Sequence, residues 1–167
     1  KMTGHLCSVT YRQATNLGID QIEHGFWILG SDFNPEKESD KCELMQSVEI
    51  TAKLDPESQE VQDLFRHLIA NNVVITSTLD ALTRVVFRSE LLEEPPEIVL
   101  DSMTAERRKT YESEVVARLK GKDFTAYIKT LMALEVAFWK AGGTLAVGSD
   151  AIVFRGSLPG FTNLKSI

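Results

Sequence analysis

The chain has 167 residues, 43% of them hydrophobic and 25% charged, with a formal net charge of −6. That length and balance suit one ordinary globular domain with a buried core. The acidic charge, and the lack of a basic stripe with interleaved aromatics, argue against a nucleic-acid surface, and no apolar stretch approaches the roughly 18 residues of a membrane span.

The cysteines, Cys7 and Cys42, are too few and too unpatterned for a disulfide framework. A single bridge between them stays open, and Cys7 also reads as a small core residue. Without a Cys-x-x-Cys pair, a structural zinc knuckle is not expected. The chain opens on Lys1 at what reads as the end of a strand and stops at Ile167 where a helix is about to begin. Both ends read as cut, so the sequence says nothing about a targeting segment or compartment.

Ser8 is expected to cap a short helix through Tyr11 and Ala14, closed by Asn16-Leu17-Gly18 with Gly18 in the left-handed position. Ile19 to Ile22 then reads as a brief strand running into Glu23-His24-Gly25. Residues 26–54 read as irregular, with Gly30, Asn34-Pro35 and a charged run from Glu36 to Glu43, a length that points to a functional insertion. Asp55 and Pro56 look like the N-cap and first turn of a helix whose apolar face is Val61, Leu64, Phe65, Leu68 and Ile69. His67 falls off that face and reads as solvated.

The helix should end at Asn71-Asn72, before a strand rich in β-branched residues from Val73 to Thr78. A second excursion, 79–121, is broken by Pro95-Pro96 and carries a polar helix from about Thr104 to Leu119. Phe124 to Ala141 is expected to be helical, burying Ile128, Leu131, Leu134 and Phe138. Thr144 to Val147 is the last strand, delivering Gly148-Ser149-Asp150, and Gly156 to Phe161 reads as a loop. Alternating strands and helices favour a parallel sheet. About four strands are present, half of the eight that close a (β/α)8 barrel of about 250 residues.

Three strand ends carry chemistry: Thr3-Gly4-His5, Ile22-Glu23-His24-Gly25 and Gly148-Ser149-Asp150-Ala151. Each has an ordinary structural alternative, a hydrogen-bonded histidine or a helix-capping aspartate. Together they match the way barrel enzymes gather side chains at the carboxyl ends of their strands. Imidazoles and carboxylates are the usual ligands of zinc and related divalent ions, and a carboxylate beside an activated water can take its proton. The histidines are about one short βα repeat apart, which would place them on neighbouring strands at one level.

With these motifs, the stretches Thr3 to Gly25, Val73 to Leu79 and Ala141 to Ala151 resemble the amidohydrolase superfamily, in its imidazolonepropionase- and prolidase-like branch. In that family one His ends strand five, a second ends strand six in an Ile-Glu-His-Gly-like motif, and an Asp ends strand eight in a Gly-Thr-Asp-Ala-like motif. The corresponding residues are His5, His24 and Asp150, and Leu158 to Phe161 looks like the stretch after strand eight. The resemblance implies an α/β fold, a partial TIM (β/α)8 barrel made of strands five to eight with their helices. Residues 1–167 would then be the C-terminal part of the barrel domain, with long insertions at 26–54 and 79–121.

It also implies a metal-dependent hydrolase that cleaves a C–N bond in a cyclic amide or short peptide. His5, His24 and Asp150 would be metal ligands, with Asp150 also the catalytic proton carrier. The cofactor would be one or two divalent ions, zinc being the expected one, and the partner a small-molecule or dipeptide substrate.

The family's His-x-His pair on strand one has no counterpart among His5, His24 and His67, and Lys1 is wrongly placed to supply a bridging ligand. The rival reading is a non-catalytic, truncated half-barrel acting as a structural or interaction fragment. Its open sheet edges are suited to recruiting another chain, including a second copy in a homo-oligomer. Phe26 and Trp27 read as pocket-lining or rim-packing aromatics, and Thr76, Ser77 and Thr78 as substrate-bonding or backbone-satisfying hydroxyls. Glu93 to Pro96 reads as a solvated turn, and Arg155 is a candidate partner for a substrate carboxylate.

Overall fold

Four short strands, β1 (Thr3–Gly4), β2 (Gln21–Glu23), β3 (Val74–Ser77) and β4 (Thr144–Val147), lie side by side in chain order in one sheet. The pairings of β1 with β2 and of β2 with β3 are parallel, with Gly4 opposite Ile22 and Ile22 opposite Ile75. The fold is therefore α/β, as the alternation predicts. This computed structural model describes residues 1–38, 40–85, 87–91, 93–119 and 122–150. The expected loop Gly156 to Phe161, with Arg155 and the Leu158 to Phe161 stretch, lies outside the described residues.

The helices are α1 (Tyr11–Asn16), α2 (Leu44–Thr51), α3 (Gln59–Ala70), α4 (Leu79–Val85), α5 (Glu97–Asp101), α6 (Ala105–Leu119) and α7 (Thr125–Lys140), with a 3-10 turn at Leu29–Phe33. They divide between two compact units. Among the described residues one comprises Lys1–Ser77 with Ala126–Ala146, the other Thr78–Thr125 with Val147–Asp150.

In the first unit Ile22 and Ile75 are fully buried neighbours on one face of the sheet. Against the same core pack Phe26, Phe65 and Phe138, whose rings meet pairwise at 5.1–5.4 Å, with Tyr11 at 5.8 Å from Phe26. Val61, Leu64, Phe65 and Leu68 are fully buried, as the periodicity of α3 requires. Ile128, Leu131, Leu134 and Phe138 of α7 are buried too. Phe138→Ala should cost about 3–5 kcal/mol, because it empties the centre of the ring cluster. A urea midpoint unchanged by that substitution would place the core elsewhere.

Several local expectations are corrected. Thr10, not Ser8, caps α1: its hydroxyl accepts from the Gln13 amide while the Gln13 side chain returns to the Thr10 amide, a reciprocal capping box. Gly18 follows with φ 86, as expected. α3 starts at Gln59 with Ser58 as its cap. Asp55 instead turns its side chain onto the Glu57 amide two residues on, at 2.9 Å, so Asp55-Pro56 makes a turn before the helix.

Residues 26–54 are irregular only in part: between Phe33 and Leu44 the described residues carry no helix or strand, but α2 follows. α2 docks on the 3-10 turn at Gly30, where a side chain would collide with the Ser47 carbonyl. The Gly30 amide donates to Thr51 Oγ1 at 2.7 Å, and that hydroxyl donates to the Ser47 carbonyl at 2.7 Å. The buried side of α2 includes Ser47 and Thr51, so apolar periodicity gave no sign of it. Cys7 is half-buried and joined to Cys42 by a disulfide, which resolves the open alternative in favour of a bridge. His67 is half-buried rather than solvated, with Nε2 shut from solvent and unpaired.

In the second unit the polar helix appears as α6, one residue later than expected, with the Thr104 hydroxyl accepting from the Arg107 amide. Arg108 binds Glu97, Asp101 and Glu112, tying α5 to α6. Glu94 of the Glu93 to Pro96 turn is exposed and takes a hydrogen bond from Tyr111. Phe87 and Phe124 meet edge-on at 4.9 Å. Among the described residues no helix is long and apolar enough to cross a membrane.

Candidate functional site

One face of the sheet in the first unit carries a polar row. Glu23 Oε1 accepts from Thr3 Oγ1 at 2.6 Å and from Gln21 Nε2 at 2.9 Å, and Gln21 Nε2 also donates to Thr76 Oγ1 at 2.7 Å. These side chains alternate with Ile22 and Ile75, so one face of the sheet is polar where the other is core.

His5 follows β1 and is exposed; His24 follows β2 and is half-buried. Their ring centroids are 5.7 Å apart. The strand register does not predict that meeting. With Thr3 opposite Gln21 and Gly4 opposite Ile22, the next residue, His5, comes level with Glu23, and His24 lies one step beyond. Regular strands turn successive side chains to opposite faces, so a one-residue offset would separate the rings. His24 instead takes φ 68 and Gly25 φ 62, two consecutive left-handed residues that break the alternation. A left-handed histidine is an uncommon conformation that costs on the order of 1–3 kcal/mol and persists only where its surroundings impose it.

The surroundings do impose it. The Gly25 amide donates to the Thr76 carbonyl of β3 at 2.7 Å. The Gly25 carbonyl accepts from the fully buried Tyr11 hydroxyl of α1 at 2.8 Å. A Cβ on Gly25 would overlap Glu135 Oε1 of α7, and its φ of 62 favours glycine. The Trp27 ring stands edge-on to His24 at 5.8 Å, and its carbonyl accepts from Tyr127 Oη.

α1 is itself held by Asp32 of the 3-10 turn, whose oxygens accept from the Tyr11 and Arg12 amides at 2.8 and 2.9 Å. A carboxylate on those orphan N–H groups satisfies the helix start. Burial raises the Asp32 pKa, opposed by those two amides. Burial lifts Glu135 to about 7, with the Ser77 hydroxyl opposing the rise. Neither Glu135 Oε1 nor Ser77 Oγ, however, completes a hydrogen bond of ordinary geometry.

Two imidazoles that share a tetrahedral zinc through nitrogens about 2 Å from the ion have ring centroids about 5 Å apart. The His5–His24 centroids, 5.7 Å apart, are near that spacing. Two ligands are half a tetrahedral shell, and among the described residues no three His, Cys, Asp or Glu side chains gather around one point. Asp150 lies just beyond β4 in the second unit, half-buried, with φ 38. Thus two of the three expected ligands are left-handed non-glycine residues, the kind of backbone outlier that clusters at functional sites.

Of the other candidates, Phe26 is pure core, fully buried. Thr76 belongs to the polar row, while Ser77 and Thr78 are buried. Sequence reasoning missed Tyr11 and Glu135. Glu135 had a legible signal: a lone acid on the face of α7 that also carries Ile128, Leu131 and Phe138. Tyr11 had none beyond being an aromatic in a short helix. No protein-family model, curated protein or solved structure matches this chain, so its functional reading rests on this strand-end geometry and its motifs.

Proposed function

We propose that the chain is the C-terminal part of a metal-dependent amidohydrolase barrel, strands five to eight, which cleaves an amide-type C–N bond in a cyclic amide or short peptide. The observation that carries this reading is the His5–His24 pair at neighbouring parallel strand ends, 5.7 Å apart and brought together by a left-handed turn. A sheet whose spatial order equals its chain order supports the half-barrel, because successive βα units wound one way produce it, whereas doubly wound sheets reverse.

In this reading His5 and His24 would hold the ion, zinc being the expected one. A divalent ion so held would polarise the substrate carbonyl and acidify a water toward neutrality. Asp150, assigned from its motif alone, would ligate the metal and would take a proton from the attacking water and pass it to the leaving nitrogen. Glu23, fixed by Thr3 and Gln21, keeps the polar row ordered beside the two histidines.

The test is zinc titration by calorimetry, with hydrolysis measured on a panel of cyclic amides, N-acyl amino acids and dipeptides. His5→Ala and His24→Ala should each weaken zinc by at least about tenfold, while His67→Ala leaves it unchanged. Asp150→Asn should abolish turnover and leave the circular-dichroism spectrum intact. Equal zinc affinity in wild type and both histidine variants would end the metal reading. Zinc bound without turnover of any panel member would favour the non-catalytic half-barrel fragment.

A further inference from the structure

Glu135 is hard to explain as packing. It sits on the inner face of α7 among Leu131, Leu134 and Phe138, only 6% exposed, where an apolar side chain would serve the core better. Its Oε1 is buried, and the buried Ser77 hydroxyl at the carboxyl end of β3 lies beside the carboxyl without completing a hydrogen bond of ordinary geometry. Such groups cost stability, and a native chain that keeps them at one spot calls for a local reason. The reason on view is Gly25. Glu135 Oε1 fills the volume that a side chain on Gly25 would occupy. The Thr76 carbonyl and the Tyr11 hydroxyl hold the same residue by its amide and its carbonyl.

We infer that Glu135 is a positioning residue for His24: its carboxyl, wedged against Gly25 beside Ser77, holds the His24–Gly25 turn in the left-handed form that brings the His24 ring to His5. The inference rests on the metal-site reading only for its consequence, the affinity for an ion. The placement of the ring is measurable without one. Tyr11 and Thr76 restrain the two peptide groups of Gly25, and Glu135 supplies the remaining restraint at its Cα. Removing the carboxyl leaves the turn room to relax toward right-handed backbone, which would carry the His24 ring toward the opposite face, as the strand register dictates.

The chain has only three histidines, so imidazole NMR resolves His5, His24 and His67 separately. In the metal-free chain, Glu135→Ala should shift the His24 ring signals and the His5–His24 contacts while leaving His67 in place. Glu135→Gln, with the same shape and polar head, should restore the wild-type signals. Zinc added to the same samples should bind about tenfold or more weakly to Glu135→Ala than to wild type or Glu135→Gln. If Glu135→Ala does not fold, Glu135→Leu, which keeps the core filled, is read in the same way. Wild-type His24 signals in a folded Glu135→Ala or Glu135→Leu chain would overturn the inference, as would a Glu135→Gln chain that shifts like Glu135→Ala. If wild type binds no zinc yet the His24 signals move as stated, the metal reading fails and the positioning role stands.

Discussion

Raising the pH from about 5 to about 8 is expected to cost this chain about 3 kcal/mol of folding stability through one side chain, Glu135, and Glu135→Gln is expected to remove that loss. Burial lifts the carboxyl from the ordinary 4.5 to about 7 in the folded chain. Between those values the native state holds a proton that the unfolded chain has released. The stabilisation is therefore complete below about pH 4.5, declines through the interval, and is gone above about 7. Burying a carboxylate beside Phe138 is the physical cost, and a glutamine in its place never ionises.

Urea unfolding at a series of pH values checks this. The two proteins should agree near the acid end and diverge above neutrality, with the variant the more stable. Asp32, shifted in the same direction by burial, keeps a slope of the same sign at the acid end in both. Parallel loss of stability in wild type and variant across this range would mean that Glu135 is not the buried acid described.

The second large effect concerns the Cys7–Cys42 bridge. Its sequence separation of 35 encloses α1, β2, the His24–Gly25 turn and the 3-10 turn. A loop of that size restricts the unfolded chain enough to contribute about 4 kcal/mol on the chain-entropy account. Cys42 is exposed, so a dithiol reductant has access to the bridge. Reduction, or the paired substitutions Cys7→Ser and Cys42→Ser, should lower the unfolding free energy by about 3–4 kcal/mol. Because Cys7 is two residues from His5, the same treatment should also broaden the His5 ring signal. Two reactive thiols in the folded, unreduced protein would disprove the bridge.

Much of the fold was legible because it is written in local chemistry. The apolar spacing of Val61, Leu64, Phe65 and Leu68 marks α3, and Thr144 to Val147 marks β4 to the residue. Helix starts were less legible, since Ser8, Thr10, Asp55 and Ser58 are all competent caps and the choice depends on what each backbone meets. α2 was missed because its buried side carries Ser47 and Thr51, the Thr51 hydroxyl donating to the Ser47 carbonyl within the helix and accepting from Gly30. Hydrophobic periodicity registers burial only where burial is apolar.

By itself the sequence determined the alternating strands and helices, the burial of Phe138 and Leu64, and the placing of His5, His24 and Asp150 at strand ends. Those features depend on side-chain type and spacing within one element. The meeting of His5 with His24 was decided only by tertiary structure. In-register strands offset by one residue would turn the two rings apart, and it is the left-handed turn, gripped by Thr76, Tyr11 and Glu135 from three other elements, that turns them together. Contacts spread over more than a hundred residues of chain leave no periodic trace, because each partner is chosen by where the fold delivers it.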